Sequence, residues 1–185
     1  MRSLIALGTA LLLTTSAHAQ DAGATTGIEI DPQAYAGVWY EIARTPVPFQ
    51  QQCTGGVTAT YTLRSDTEVG VENRCDLASG ETESATGAAD VVDGNFNTFA
   101  VEIEDSDAPG INYIVAAVGD ETDGRYPWAA VHSPDGNTGW ILARDPDLAE
   151  DARADAEAAL AELGVDIAQL SDTTQPPQTY DPAAD

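Results

Sequence analysis

Between positions 57 and 143 the chain alternates apolar and polar residues with the two-residue period of half-buried strands. Val57, Ala59, Tyr61 and Leu63 share one face of the first such segment, and Thr58, Thr60 and Thr62 share the other. After a turn over 64–67 the alternation resumes over 68–75. Further strand candidates are 84–92, 98–104, 111–118, 126–132 and 140–143, with 38–44 in front of them all. Segments rich in Gly, Asp, Asn and Pro separate them at 93–95, 105–110, 119–124 and 133–137. Eight short strands joined mostly by tight turns predict an all-β fold, either an up-and-down antiparallel barrel or a sandwich. The period then changes. Leu148, Ala152, Ala156, Ala159, Leu160 and Leu163 recur at helical spacing. Asp145 is the expected N-cap, Pro146 fits the first helical position, and Asp147, Glu150 and Asp151 lie where the helix dipole favours negative charge. Gly164 is the expected stop. One amphipathic helix behind a meander of strands should pack its apolar stripe on the outside of the sheet.

The ends read differently from the body. A positive start at Arg2, an apolar run from Leu4 to Leu13 and a small-residue site at Ala17-His18-Ala19 match a secretory signal peptide over 1–19. Residues 20–30 are expected as a flexible leader, 31–170 as the folded domain, and 171–185, with three prolines, as a flexible tail. No cysteine follows the cleavage site to take a lipid anchor, so the expected product is soluble, periplasmic or secreted.

Composition narrows the function. The 185 residues hold 31 Asp and Glu against 7 basic residues, all arginine, for a formal net charge of -24. Nucleic-acid binding needs Lys and Arg to neutralise phosphates, so that partner is excluded. Schiff-base chemistry is excluded with lysine. Yet 43% hydrophobic residues with 21% charged is too apolar for an acidic disordered chain. A folded domain with an anionic surface remains.

Three motifs in order carry a resemblance. Gly37-Val38-Trp39-Tyr40-Glu41-Ile42-Ala43-Arg44, behind an Asp-Pro-x-x-Tyr lead-in, resembles the G-x-W-Y opening of the lipocalins. The run from Phe49 through Cys53 to Arg64 fits too. So does the later sequence of Tyr126-Pro-Trp, Ser133-Pro-Asp-Gly and Trp140-Ile-Leu-Ala-Arg144-Asp-Pro ahead of the helix, which is similar to the bacterial, apolipoprotein-D-like branch. The resemblance spans about 31–170. It implies an eight-stranded antiparallel barrel with one ligand cavity and a C-terminal helix packed outside. It also implies a structural motif of Gly37, Trp39, Tyr40 and Arg144, with the arginine over the Trp39 ring at the closed end.

Within such a barrel, one face of each strand lines a cavity. Tyr61, Val71, Ala89, Phe99, Val101, Tyr113, Val115 and Trp128 are the candidate lining, and small residues at Ala85, Gly87 and Ala89 leave space. Apolar walls with a few polar groups at the mouth suit an acyl chain. The surface acids should disfavour a free anion unless Arg64, Arg74 or Arg125 stands near the mouth. The expected partner is therefore a small hydrophobic ligand, a fatty acid or lysophospholipid, with transient membrane contact and a monomeric or homodimeric state.

Cys53 and Cys75 are expected to form a disulfide. If Thr62 faces Val69 across the hairpin, Gly56 faces Cys75 and Cys53 lies a short step away. The alternative is a reactive thiol, as in the one enzymatic lipocalin branch. Other catalysis is short of parts. The mature chain keeps a single histidine, His132, expected at the rim or surface. The acidic runs Glu102/Glu104/Asp105/Asp107 and Asp120/Glu121/Asp123 lack EF-hand spacing. No metal and no cofactor is expected, and the other non-enzymatic reading is an interaction protein with a filled barrel.

Overall fold

A computed structural model describes residues 27–104 and 110–176. The expected signal peptide, most of the leader and Asp105 and Asp107 lie outside the described residues. The strands are β1 (Gly37–Arg44), β2 (Cys53–Leu63), β3 (Glu68–Leu77), β4 (Thr82–Val91), β5 (Thr98–Ile103), β6 (Tyr113–Val118), β7 (Trp128–His132), β8 (Gly139–Ala143) and a short β9 (Ser171–Asp172). Each of β2 to β8 pairs antiparallel with its sequence neighbour. β8 then pairs with β1, and β1 with β2 from Gly37↔Tyr61 to Tyr40↔Thr58, which closes the sheet into a barrel. Closure leaves the eight long strands without a free edge.

Side chains divide into two layers. Trp39, Val69, Val71, Phe99, Val131 and Leu142 point inward, and Tyr40, Ile42, Trp128, Ala130 and Ile141 point outward. The outer layer is covered by α2 (Glu150–Glu162), whose Ala156 and Leu160 are fully buried against it. α2 begins later than its capping pattern predicts. Its N-cap is Ala149, while the Asp145 carboxylate accepts from the Asp147 amide at 2.9 Å and caps a separate turn. Its end follows expectation: Gly164 adopts φ +91°, its amide donates to Ala161 and the Val165 amide donates to Leu160. That pair of bonds is a Schellman stop, which needs the left-handed conformation glycine tolerates.

The two ends of the barrel differ. Turns 64–67, 92–97 and 119–127 gather at one end together with α1 (Pro32–Tyr35), a single turn capped by the Asp31 carboxylate. The chain ahead of α1 is tied there as well, because the Ile30 amide donates to Asn95 and the Asn97 side chain donates to the Ile28 carbonyl. Loops 45–52, 78–81 and 133–138 rim the opposite end, which is the mouth.

Two expectations about pairing need correction. Leu63, not Thr62, faces Val69, and register shifts between Cys53 and Thr58 bring Cys53 opposite Leu77. The bulge at Gly56, with φ +60°, still carries Cys53 to Cys75, and the two form the expected disulfide. Residues 171–176 are not a loose tail. β9 pairs with β1 at Ala43↔Asp172 and Arg44↔Ser171, the Gly56 amide donates to the Thr174 carbonyl, and the Gln175 amide group donates to the carbonyls of Glu41 and Val57. This segment fills the seam where β1 and β2 part company near the mouth.

Candidate functional site

The barrel encloses a cavity of about 660 Å³. Six of the eight expected lining residues border it: Tyr61, Val71, Ala89, Phe99, Val101 and Tyr113. Ala85, on β4, leaves room beside them. Val115 points inward but is packed completely into the wall behind these residues. Trp128 is on the other side of the sheet. It packs beneath α2 and borders a surface depression with Asp120, Asp151 and Asp155. β7 is buried along its whole length on both faces, its one polar residue His132 included, so exposure does not betray which side faces in.

The closed end is held by one cation. The Arg144 guanidinium stacks 3.7 Å from the Trp39 ring centroid, as expected. It also donates to the carbonyls of Ala34, Tyr35, Ala36 and Val38, and so caps the C-terminal end of α1. Trp39 donates its indole N–H to the Tyr35 carbonyl at 2.8 Å. Burial, with Arg125 adding repulsion, lowers the Arg144 pKa to about 10, still charged at neutral pH. Gly37 adopts φ +96° where this arginine passes, and a Cβ there would meet its Nη1 at 3.5 Å.

Above this plug lies a polar group that the alternation pattern does not single out. The hydroxyls of Tyr35 and Tyr113 are 2.7 Å apart, and Tyr61 donates to Tyr113 at 3.1 Å. Tyr35 stacks on Tyr61, and Tyr113 meets Tyr61 and Phe99 edge-on. Burial drives all three phenols up, Tyr61 to about 12, so all are neutral donors.

The mouth is polar. Glu41 lines the cavity and is only 3% exposed. Its carboxylate accepts from Thr173 and from Gln50 at 3.0 Å, and the Arg44 Nε lies 3.2 Å away. Burial pushes this carboxyl above its usual value, against the pull of those donors and of Arg44. Gln52 reaches from the 45–52 loop to Glu83 on β4 at 3.0 Å. Asn112 substitutes for strand backbone, its amide exchanging two bonds with Val101 at 2.9 and 2.8 Å. Of the three arginines considered for the mouth, Arg74 borders the cavity, whereas Arg64 and Arg125 belong to turns at the closed end. Glu41 is two residues from Trp39, and that parity alone would have placed it inside.

His132 is buried rather than exposed, at the end of β7 next to the rim loop 133–138. Its Nδ1 lies 3.0 Å from the Ser133 carbonyl, its Nε2 finds no partner among the described residues, and burial lowers its pKa. Among the described residues no three His, Cys, Asp or Glu side chains gather as a metal site.

The family model for the lipocalin-like domain matches residues 30–175. The chain is a lipocalin. The outer membrane lipoprotein Blc of Escherichia coli strain K12 is 30% identical over 176 residues, 94% of this chain and 96% of that protein. The Citrobacter freundii lipoprotein Blc is 29% identical over 166 residues, 90% and 91% of the two chains. This lipocalin therefore falls in the bacterial Blc branch. Lobster apocrustacyanin A1 shares the fold with a TM-score of 0.62 at 23% identity, over 79% of this chain and 80% of that one.

Proposed function

We propose that this lipocalin reversibly holds a small hydrophobic molecule, with a fatty acid or lysophospholipid chain as the fitting class, in the bacterial cell envelope. The observation that carries the reading is the cavity of about 660 Å³, walled by Val71, Ala89, Phe99 and Val101 and bordered by polar side chains of the mouth. Burying an alkyl chain against such walls is worth about 0.8 kcal/mol per methylene. A polar head would remain among Gln50, Gln52, Asn73 and Arg74. The role is carriage rather than turnover. Envelope residence is supported by the signal-peptide pattern of 1–19 and by the outer membrane lipoproteins the chain resembles. The open cavity argues against the competing reading of a filled barrel that binds partners at its rim. Titration with a fluorescent fatty acid, followed by displacement with lysophospholipid, tests the proposal. Saturable, displaceable binding is expected, and its absence in the folded protein would overturn it.

A further inference from the structure

The floor of the cavity has one more hydrogen-bond donor than it has bonds. Tyr35, Tyr61 and Tyr113 bring three hydroxyl hydrogens, and the two bonds among them use two. Whichever way the Tyr35–Tyr113 bond runs, one O–H is left over: on Tyr35 if Tyr113 donates to it, on Tyr113 if Tyr35 donates. Among the described residues these hydroxyls bond to no further acceptor, and the Glu41 carboxylate is engaged instead by Thr173 and Gln50 beside Arg44. All three tyrosines border the cavity, so a ligand that reaches its floor meets this cluster.

We infer that the ligand carries a neutral oxygen acceptor (ketone, ester, ether or hydroxyl) on the end that reaches the barrel floor. This rests on the cavity being a ligand site, as proposed above, and narrows the class from plain acyl chains to chains that carry an oxygen at the buried end. A plain methyl end seated against the three hydroxyls would strand a buried O–H, which is costly away from water. A water bonded there changes nothing, because displacing it without replacing its bond loses affinity. A carboxylate is the wrong acceptor. Arg144 gives its Nη groups to four backbone carbonyls below the floor, so a buried carboxylate would face neutral phenols with no direct ion-pair partner. The same arginine biases the floor toward donation, since a cation behind the phenols favours electron-rich partners in front of them. The tyrosines are thus selective rather than merely apolar bulk.

The test compares 2-dodecanone with its isosteric alkene, 2-methyldodec-1-ene, as competitors of the fluorescent reporter N-phenyl-1-naphthylamine. Both are measured on the wild-type protein and on the triple variant Tyr35→Phe/Tyr61→Phe/Tyr113→Phe. Replacing a bonded hydroxyl cluster by isosteric rings removes donors and acceptors together, which is nearly neutral for stability. The ketone should lose about tenfold in affinity in the variant while the alkene holds or tightens. In wild type, the infrared carbonyl stretch of bound carbon-13-labelled ketone should fall below its frequency in hexane. That measurement decides the matter if the variant does not fold. Equal changes for both competitors, or an unshifted carbonyl, would overturn the acceptor requirement and leave the container reading standing. If the reporter and both competitors fail to bind folded wild-type protein, the container reading falls, and this inference with it.

Discussion

Arg144 reaches across the closed end of the barrel to sit on Trp39, and donates as well to the carbonyl of Val38, 106 residues earlier in the chain. One side chain from the last long strand thereby fixes the first strand and the turn of helix before it. Lysine offers a single point charge where the guanidinium provides a planar fork and a stacking face. Arg144→Lys should cost about 2–3 kcal/mol in urea unfolding, with ligand affinity unchanged below the transition. A variant as stable as wild type would show the plug to be redundant.

Cavity walls and outer core can be told apart by substitution. Ala89→Phe inserts a ring into the cavity and should weaken fluorescent fatty-acid binding about tenfold or more with the fold intact by circular dichroism. Trp128→Phe changes the layer under α2 instead. It should lower stability by about 1 kcal/mol and leave affinity alone.

The eight barrel strands and the helix stop were legible because each depends on local pattern, whereas closure into a barrel rather than a sandwich followed only from the family resemblance. Alternation, turn residues and Gly164 are short-range signals. What was not legible depends on parity or on distant chain. The turn over 64–67 sets the β2–β3 register one residue from the expected pairing, and two register shifts between Cys53 and Thr58 then move it back, leaving Cys53 beside Cys75. Trp128 lies in a strand buried on both faces, where His132 is the one polar residue, so alternation had little to work with. Residues 171–175 have little hydrophobicity of their own and are ordered by backbone pairing to β1 and by bonds to Glu41 and Val57. The tyrosine cluster joins three elements far apart in sequence, and only the closed barrel brings the hydroxyls together.

The Cys53–Cys75 disulfide closes a loop with a sequence separation of 22. Cys53→Ser/Cys75→Ser should lose about 3 kcal/mol of stability by the loss of chain constraint. Thermal denaturation with and without reductant checks it: reductant should shift the wild type and leave the variant unmoved.

Burial gives Glu41 a pH-dependent contribution to stability. Its folded pKa is raised by burial, so the carboxyl favours folding while protonated and loses that contribution as pH rises through the raised value. Glu41→Gln cannot ionise. The stability of wild type relative to this variant should therefore decline as pH climbs above the ordinary carboxylate value of 4.5. A flat difference would place the carboxylate in a better-solvated setting.

Surface charge should appear as salt dependence. With a formal net charge of -24, self-repulsion acts over distances that screening shortens to about 8 Å at physiological salt. Melting temperature should climb with sodium chloride toward molar concentration. A flat or falling response would mean the acids are spaced widely enough not to repel.

The seam between β1 and β2 is finished by Gln175, which lies 134 positions from Glu41 and 118 from Val57 along the chain. A sheet sealed by its most remote segment cannot be completed by any early hairpin, however stable. Such pairings carry a high loop-closure cost before they return any stability, and they fold slowly. Refolding should thus leave a late, nearly complete barrel whose mouth is still unstitched, a species more exposed to proteases and to stray lipid than the finished one.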